Sequence, residues 1–256
     1  MSIAPSAAAP AAESLLASLD PEQRAAAMLP DGPAQVIAPA GSGNTTTLIA
    51  RLGVLLGRGV AADRIGVVTF NRDAAAELSA RIATRLAPLV PGAEAIEVRT
   101  LHAMARQVLI DAGRSVRLVP DRLPVLRAAR RRALAELPAV ADGADPPPQP
   151  PDAAALDTMV STWKVEGRRP PPAATSTVRA FTALMEAHGL IDFDDLVVGA
   201  VAALEADPQL RSRWQSRFTH LCVDEFQDVD AAQLRLVRLL AAPQDNLFVV
   251  GDDDQP

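Results

Sequence analysis

The 256-residue sequence predicts an α/β fold in which a parallel β-sheet carries helices on both faces and is interrupted by a mostly helical inserted subdomain. Two observations lead to this prediction. Short apolar runs of strand length alternate with longer segments in which leucines recur at helical spacing, as in parallel sheets. From residue 120 to residue 217 only the helical spacing remains. We therefore expect residues 14–119 and 218–256 to form one sheet domain, with residues 120–217 as the insertion.

In the first half, each predicted strand is followed by a predicted helix. Residues 1–13 are rich in Ala, Pro and Ser and are expected to form a disordered leader. Asp20 and Pro21 have the residue types of an N-cap and a first-turn proline, so a helix is expected to begin near Glu22. Strands are then expected at 35–38, 64–70 and 95–100, with helices at 48–56, 73–86 and 101–112.

The second half contains the insertion and a return to the alternating pattern. Proline runs at 146–151 and 170–172 cannot continue a helix and are expected to be extended linkers. A strand at 220–223, a helix at 230–240 and a strand at 246–250 follow. The sequence ends just after this strand without a closing helix, and we expect it to be truncated there.

Composition limits the class of protein. With 49% apolar and 22% charged residues, the chain has an ordinary globular composition. A net charge of -6 argues against a uniformly basic nucleic-acid-binding surface but leaves a local groove open. The single cysteine, Cys222, allows no intramolecular disulfide and fits a reducing compartment, so the cytoplasm is the expected location. No stretch reaches the length of a membrane span, and no membrane partner is expected.

A segment typical of phosphate-binding loops lies between the first predicted strand and its helix. It consists of Ala38, Pro39, Ala40, Gly41, Ser42, Gly43, Asn44, Thr45 and Thr46. In such loops the glycines let backbone N–H groups surround the phosphates, a Ser/Thr hydroxyl reaches Mg²⁺, and a lysine reaches the β- and γ-phosphates. Here the glycines and threonines have the required spacing, but Asn44 occupies the lysine position. The loop predicts a nucleotide site that lacks one positive charge.

A second motif carries two carboxylates. Asp224 and Glu225 end the apolar run at 220–223, where one carboxylate can hold Mg²⁺ and the next can polarise the attacking water. A solvated acidic turn is the alternative. Because a phosphate-binding loop precedes this pair in the chain, we predict that the two carboxylates serve the same nucleotide.

In order and spacing, these two motifs and five further segments resemble UvrD/Rep/PcrA-type superfamily 1 DNA helicases. The segments are 19–24, 38–43, 69–78, 100–104, 192–196, 224–228 and 251–255. The resemblance spans Leu19 to Gln255 and is weak across the insertion. It implies a RecA-like P-loop motor domain 1A with a 1B insertion, ending after the motif III region. The implied activity is that of an ATP-dependent 3'-to-5' helicase on single-stranded DNA in replication or repair.

The resemblance also implies roles for single residues. Gln23 would contact the adenine edge, Thr45 and Asp224 would hold Mg²⁺, Glu225 would activate water, and Gln255 would sense the γ-phosphate. The residues that would face single-stranded DNA are Phe70, Asn71, Arg72, Thr100 and His102. A second motor domain, which is not in this sequence, would complete the ATP site with arginines.

Two positions depart from the family pattern. Asp73 stands where the family carries a lysine, and neighbouring Arg72 offsets this change in part. Asn44 cannot place a positive charge on the γ-phosphate, and losing one such stabilising group typically costs about 10² to 10³ in rate. We therefore expect the chain alone to bind ATP without appreciable hydrolysis or unwinding.

Two other functions fit parts of the sequence. One is an inactive nucleotide- or DNA-binding module derived from a helicase, in which Asn44 is natural. The other is a small-molecule P-loop kinase, which the glutamine at position 23 and the DNA-side segments disfavour.

Several further residues have both a functional and a structural interpretation. The arginines at 127 and 130–132 could follow phosphates, but a solvated helix face is more common. Asp192, Asp194 and Asp195 fit helix capping better than a metal site, and His102 lacks a second ligand at metal spacing. Trp163 and Trp214 could stack on bases, although isolated tryptophans in helices usually belong to a core.

Overall fold

The computed structural model describes residues 8–39, 41–137 and 147–252, with side chains from Ala12 onwards. These residues form two compact units. The first contains the described residues up to Met104, Leu204–Val229 and those from Gln233 on; the second contains those within Ala105–Ala203 and Asp230–Ala232. The insertion predicted at 120–217 overlaps the second unit, whose main segment begins and ends earlier in the chain.

Helices and strands follow one another largely as the sequence predicts. In chain order they are α1 (Ala8–Ala17), α2 (Pro21–Ala27), β1 (Ala34–Ile37), α3 (Asn44–Gly57), β2 (Ile65–Thr69), α4 (Arg72–Arg81), β3 (Glu97–Thr100), α5 (Leu101–Asp111), α6 (Leu123–Ala135), α7 (Ala153–Glu166), α8 (Pro172–Ala187), α9 (Phe193–Ala206), α10 (Pro208–Arg217), β4 (His220–Val223), α11 (Ala231–Ala241) and β5 (Leu247–Gly251).

Within the described residues, five strands form one sheet in the order β1-β5-β4-β2-β3, and each neighbouring pair is parallel. The predicted parallel α/β architecture is therefore confirmed. Because all strands run in the same direction, the segments that follow them leave from the same edge of the sheet. In α/β folds this carboxyl edge is where ligands bind.

The core of the first unit explains why these segments fold as they do. Leucines predicted to share one face of α3, such as Leu48, Leu52 and Leu55, are buried with Leu78 of α4 against the sheet. On the sheet, Ile65, Val67, Cys222, Phe248 and Val250 belong to the same cluster. The other sheet face is covered as well: the ring of Phe218 packs directly on Gly66. Such burial contributes about 25 cal/mol per Å² of apolar surface.

The N-terminal helices differ from the expectation in one respect. Helix α2 begins as predicted, with Asp20 accepting N–H groups of Glu22 and Gln23 in a capping box. The leader expected to be disordered up to residue 13 is instead helical from Ala8. The physical reason is that this alanine-rich segment favours a helix and that Leu16 is buried in a cluster with Ala27 and Val54.

The second unit has its own core, in which α6, α7 and α8 bury Leu126, Val160 and Phe181. Beside this core lies a network of charges. Arg122 donates to Asp157, Asp192 and Asp194 at 2.5–2.8 Å. Burial alone would raise the pKa of Asp192, but the charges of Lys164 and Arg122 outweigh it and hold that pKa near 2.

Most of the residues that have both a functional and a structural interpretation in the sequence lie in structural positions. Asp192 and Asp195 each accept the other's backbone N–H, which is a helix-capping arrangement. Trp214 is buried, and Trp163 packs against the core of the second unit. Among the described side chains, no group of three or more His, Cys, Asp or Glu residues is arranged to hold a metal ion.

The remaining sequence features have equally simple explanations. Burial raises the pKa of the Cys222 thiol to about 12. The linker expected at 170–172 ends one residue earlier in the structure, because Pro172 is the first residue of α8. Proline is favoured at that position of a helix. Across the part of the chain that the structure describes, no helix is long and apolar enough to cross a membrane.

Candidate functional site

A pocket of about 450 Å³ opens at the carboxyl edge of the sheet, in the first unit. The segments after β1, β4 and β5 meet there with one side of α4. The lining residues are Gly41, Gly43, Asn44, Thr45, Thr46, Ala74, Glu77, Leu78, Arg81, Asp224, Glu225, Gln227, Asp228, Gly251 and Asp252. The pocket thus brings together the glycine loop and the carboxylate pair, which are about 180 residues apart in sequence.

The loop after β1 has a backbone that only glycine adopts without strain. Gly41 and Gly43 have φ angles of 79° and 91°, in the left-handed region. Gly43 directly precedes α3, and no side chain in the described part of the chain caps the first turn of that helix. Its free N–H groups and the positive end of the helix dipole favour an anion at this point. The loop is built to accept phosphate.

Asn44 is held by two contacts within this loop. Its Nδ2 donates to Asp252 Oδ1 at 2.8 Å, and its Oδ1 accepts from the Ser42 hydroxyl at 3.4 Å. The first contact joins the loop to the end of β5. The amide at the lysine position is therefore bound to a carboxylate and carries no charge to a ligand.

Asp224 and Glu225 lie where β4 ends. Asp224 Oδ1 accepts the backbone N–H of Glu225 at 3.0 Å, and Glu225 has a left-handed φ of 56°. Burial is the largest cause of a raised pKa in both carboxyls, and for Glu225 the charge of Asp224 raises the pKa further. In the described structure, Glu225 Oε2 is buried without a hydrogen-bond partner. An unpartnered carboxylate oxygen of this kind fits a cation or a water molecule held by one.

The pocket has an excess of negative charge. Glu77, Asp224, Glu225, Asp228 and Asp252 line it, while Arg81 is the one basic side chain among the described lining residues. Arg81 donates to Glu77 at 2.5 Å and 3.0 Å. A phosphate chain could enter such a pocket only with a cation. The carboxylate and threonine oxygens of the pocket are hard ligands of the kind that Mg²⁺ prefers. Mg²⁺ needs only one or two protein carboxylates, because phosphates and water complete its coordination shell.

The other predicted nucleotide residues lie beside the pocket. Gln23 Nε2 donates to the carbonyl oxygen of Ser42 at 2.6 Å, so α2 contacts the loop directly. The backbone N–H of Ala38 donates to the Gly251 carbonyl at 3.2 Å, and Pro39 follows it before the loop. Ala40 and Gln255 lie outside the described residues.

The structure adds pocket residues that the sequence interpretation did not assign to the site. Glu77, Arg81, Asp228 and Asp252 are the charged ones. Their signal was present but weak: Glu77 and Arg81 have the i,i+4 spacing of a predicted helix, and Asp252 belongs to the segment at 251–255.

The residues predicted to face DNA lie at the ends of two neighbouring strands. Thr69 of β2 is paired with Thr100 of β3, and the segments with Phe70, Asn71 and His102 follow. Asn71 caps α4 by accepting the N–H of Ala74 at 2.8 Å.

Three further features describe this edge, which is predicted to face DNA. The Thr100 hydroxyl accepts the N–H of Ala103 at 3.1 Å. Arg72 and Asp73 are exposed in the first turn of α4, where the helix dipole stabilises an acidic residue. Phe70 is 39% exposed, which is unusual for a large apolar side chain.

Comparison with known proteins identifies the family of this chain. A family model described as the UvrD/REP helicase N-terminal domain matches residues 19–256. The chain belongs to this family. The RecA-like fold that the resemblance implied is thereby confirmed for this UvrD/REP helicase N-terminal domain.

Three relatives illustrate the similarity. ATP-dependent DNA helicase Rep of Escherichia coli is 30% identical over 260 residues, covering 93% of this chain and 36% of Rep. ATP-dependent DNA helicase UvrD2 of Mycobacterium bovis is 32% identical, covering 96% and 38%. ATP-dependent DNA helicase PcrA of Leuconostoc citreum is 31% identical, covering 95% and 33%. The chain therefore spans about a third of the length of the curated relatives that it matches.

Proposed function

We propose that this chain is the ATP-binding part of a 3'-to-5' DNA helicase that moves on single-stranded DNA in replication or repair. The observation that carries the proposal is the meeting of the glycine loop, Asp224 and Glu225 in one pocket at the carboxyl edge of the sheet. Its relatives are named as ATP-dependent DNA helicases, which supports the same activity. A DNA substrate also makes the cytoplasm the proposed location.

The residues predicted to serve the nucleotide each have a proposed task. The backbone N–H groups of the loop and of the first turn of α3 hold the phosphates, while Thr45 and Asp224 hold Mg²⁺. Mg²⁺ held by these residues would neutralise part of the phosphate charge. Glu225 orients the attacking water and accepts its proton, and Gln255 contacts the γ-phosphate.

Asn44 limits this chemistry. Its amide donates a hydrogen bond but brings no charge to the oxygens on which negative charge develops, a loss of about 10² to 10³ in rate. ATP binding persists because the loop amides, Thr45 and Asp224 remain. Hydrolysis by the chain alone is expected to be very slow.

Single-stranded DNA is the proposed partner at the edge formed by Phe70, Asn71, Arg72, Thr100 and His102. An exposed aromatic ring such as Phe70 can stack on a base, and Arg72 can contact a phosphate. A second motor domain is the other proposed partner. It would close over the ATP and supply further arginines in addition to Arg81.

The Asn44–Asp252 contact favours one alternative, an inactive nucleotide- or DNA-binding module derived from a helicase. In that case Asn44 has a structural role, and its replacement by lysine does not produce ATPase activity.

Titration of the purified chain with Mg-ATP, followed by a fluorescent single-stranded oligonucleotide, tests the proposal. We expect both to bind and DNA binding to weaken steeply with salt. Failure to bind ATP refutes the nucleotide role, and failure to bind the oligonucleotide refutes the DNA role. DNA-stimulated ATPase activity of the longer protein, compared between Asn44 and Asn44→Lys, separates the helicase from the inactive module.

A further inference from the structure

Arg51 is a buried arginine in the middle of α3, the helix that begins at the phosphate-binding loop. It is 2% exposed. Its guanidinium donates to backbone carbonyl oxygens, those of Ala27 and Pro30 at 3.3 Å and that of Leu29. The guanidinium also lies over the ring of Phe248, 5.3 Å from its centre.

A guanidinium in this place is costly. The other buried residues of α3 are apolar apart from Thr47, and a charge taken out of water needs strong compensation. Burial lowers the pKa of Arg51, and its Nε has no hydrogen-bond partner in the described structure. Carbonyl oxygens, rather than a carboxylate, are what the side chain reaches. Its specific role is to bind the chain at the end of α2.

A second arginine of the same helix region binds the same segment from outside. Arg58 donates to the carbonyl oxygens of Met28 at 2.7 Å and Leu29 at 2.9 Å. Together the two arginines bind four consecutive carbonyls, from residue 27 to residue 30. The connection from α2 to β1 is therefore fixed to α3.

Helix α2 needs such an attachment. It has seven residues, too few to be a stable helix by itself. Its first turn carries Gln23, which donates to the loop carbonyl of Ser42 at 2.6 Å. The contact is close: a Cβ at Gly43 would lie 2.7 Å from Gln23 Nε2. Helix α2 thus connects the arginine contacts at one end with the loop at the other.

We propose that Arg51 is a positioning residue for base recognition. By fixing the C-terminal end of α2 to α3, it sets where Gln23 stands relative to the phosphate-binding loop. Arg51 thereby determines how much the base, as distinct from the phosphate chain, contributes to ATP affinity. This inference rests on the proposed function, in which Gln23 contacts the adenine edge.

The test compares two ligands, Mg-ATP and magnesium tripolyphosphate, which carries the phosphate chain without a base. In Arg51→Met, calorimetry is expected to give an ATP Kd about tenfold weaker, roughly one net hydrogen bond, with tripolyphosphate changed less than about twofold. In the Gln23→Ala background, Arg51→Met should change ATP affinity less than about twofold, because the residue through which it acts is gone. Equal weakening of both ligands, or full additivity with Gln23→Ala, overturns the proposal.

A surface variant keeps the test decisive if Arg51→Met does not fold. Arg58→Met removes contacts to the same segment and is expected to weaken ATP about two- to threefold, again with tripolyphosphate unchanged. Arg64→Met is the matched control, since Arg64 is an exposed arginine that donates to a carbonyl elsewhere, that of Ser216. If Arg58→Met weakens ATP binding no more than Arg64→Met does, the proposal is overturned. If the unmodified chain does not bind ATP, the proposed function and this inference are both refuted. If it binds ATP, but Arg51→Met leaves the ratio of the Kd values for ATP and tripolyphosphate unchanged, only the role of Arg51 is refuted.

Discussion

Replacing Asn44 by lysine tests whether one missing positive charge limits the pocket. The amide nitrogen of Asn44 lies 2.8 Å from Asp252, in a pocket where five carboxylates, those of Glu77, Asp224, Glu225, Asp228 and Asp252, face Arg81. A lysine there adds the second cation. A hydrogen bond to a charged group contributes about 1.5–3 kcal/mol and a neutral one about 0.5–1.5. The difference of about 1–1.5 kcal/mol predicts that Asn44→Lys tightens Mg-ATP binding about 5- to 12-fold.

Calorimetric titration of the 256-residue chain measures this change. Asn44→Met is the matched control, because methionine is long and flexible like lysine but uncharged, and it should bind ATP no tighter than the unmodified chain. In a longer protein that includes the proposed second motor domain, the same lysine is expected to raise DNA-stimulated ATPase about 10²- to 10³-fold. If Lys and Met at position 44 give the same affinity, the charge argument is wrong.

Three further predictions concern charged side chains. Burial raises the pKa of Asp224 in the folded chain, so its ionised form opposes folding at neutral pH, and this penalty disappears as the pH falls through that pKa. Without nucleotide, Asp224→Asn should therefore raise the Tm at pH 7, by about 2–4 °C per kcal/mol, and the gain should shrink towards pH 4; a lower Tm at pH 7 contradicts this. Arg122→Met removes the guanidinium that Asp157, Asp192 and Asp194 share, and should lower the free energy of unfolding by about 3–5 kcal/mol in urea titrations, against less than about 0.5 for the exposed Arg132→Met. Arg81→Gln should weaken Mg-ATP about tenfold by calorimetry, while Arg85→Gln, the same change one turn further on, should have no effect; equal affinities would exclude Arg81 from the site.

Much of the fold could be predicted because local patterns and tertiary contacts agree. Leucines at helical spacing in α3 are the ones buried against the sheet, and the apolar run at 220–223 is β4. Asp20 and Pro21 begin α2 because an N-cap and a first-turn proline act within one turn. Short-range signals of this kind need no knowledge of distant residues.

Other features depend on contacts that are distant in sequence. The hydrogen bond from Asn44 to Asp252 joins residues 208 positions apart, and no local pattern indicates it. Arg51 has the sequence appearance of an exposed residue, yet it is buried because the carbonyls after α2 need donors. The helix at the N-terminus is stabilised because Leu16 packs in an apolar cluster with Ala27 and Val54. The sequence motifs indicated the pocket residues that belong to the loop and the carboxylate pair. They did not indicate Glu77 and Arg81, which line the pocket only because of the way α4 packs.

This pocket is proposed to bind Mg-ATP through the loop and Asp224, although Asn44 slows hydrolysis. The most direct test is calorimetric titration of the unmodified 256-residue chain and of Asp224→Asn with Mg-ATP, with phosphate release followed in the same samples. We predict saturable binding by the unmodified chain, binding at least about tenfold weaker in Asp224→Asn, and phosphate release near the buffer background in both. Equal affinity in the two proteins, or rapid phosphate release by the unmodified chain, would contradict the account.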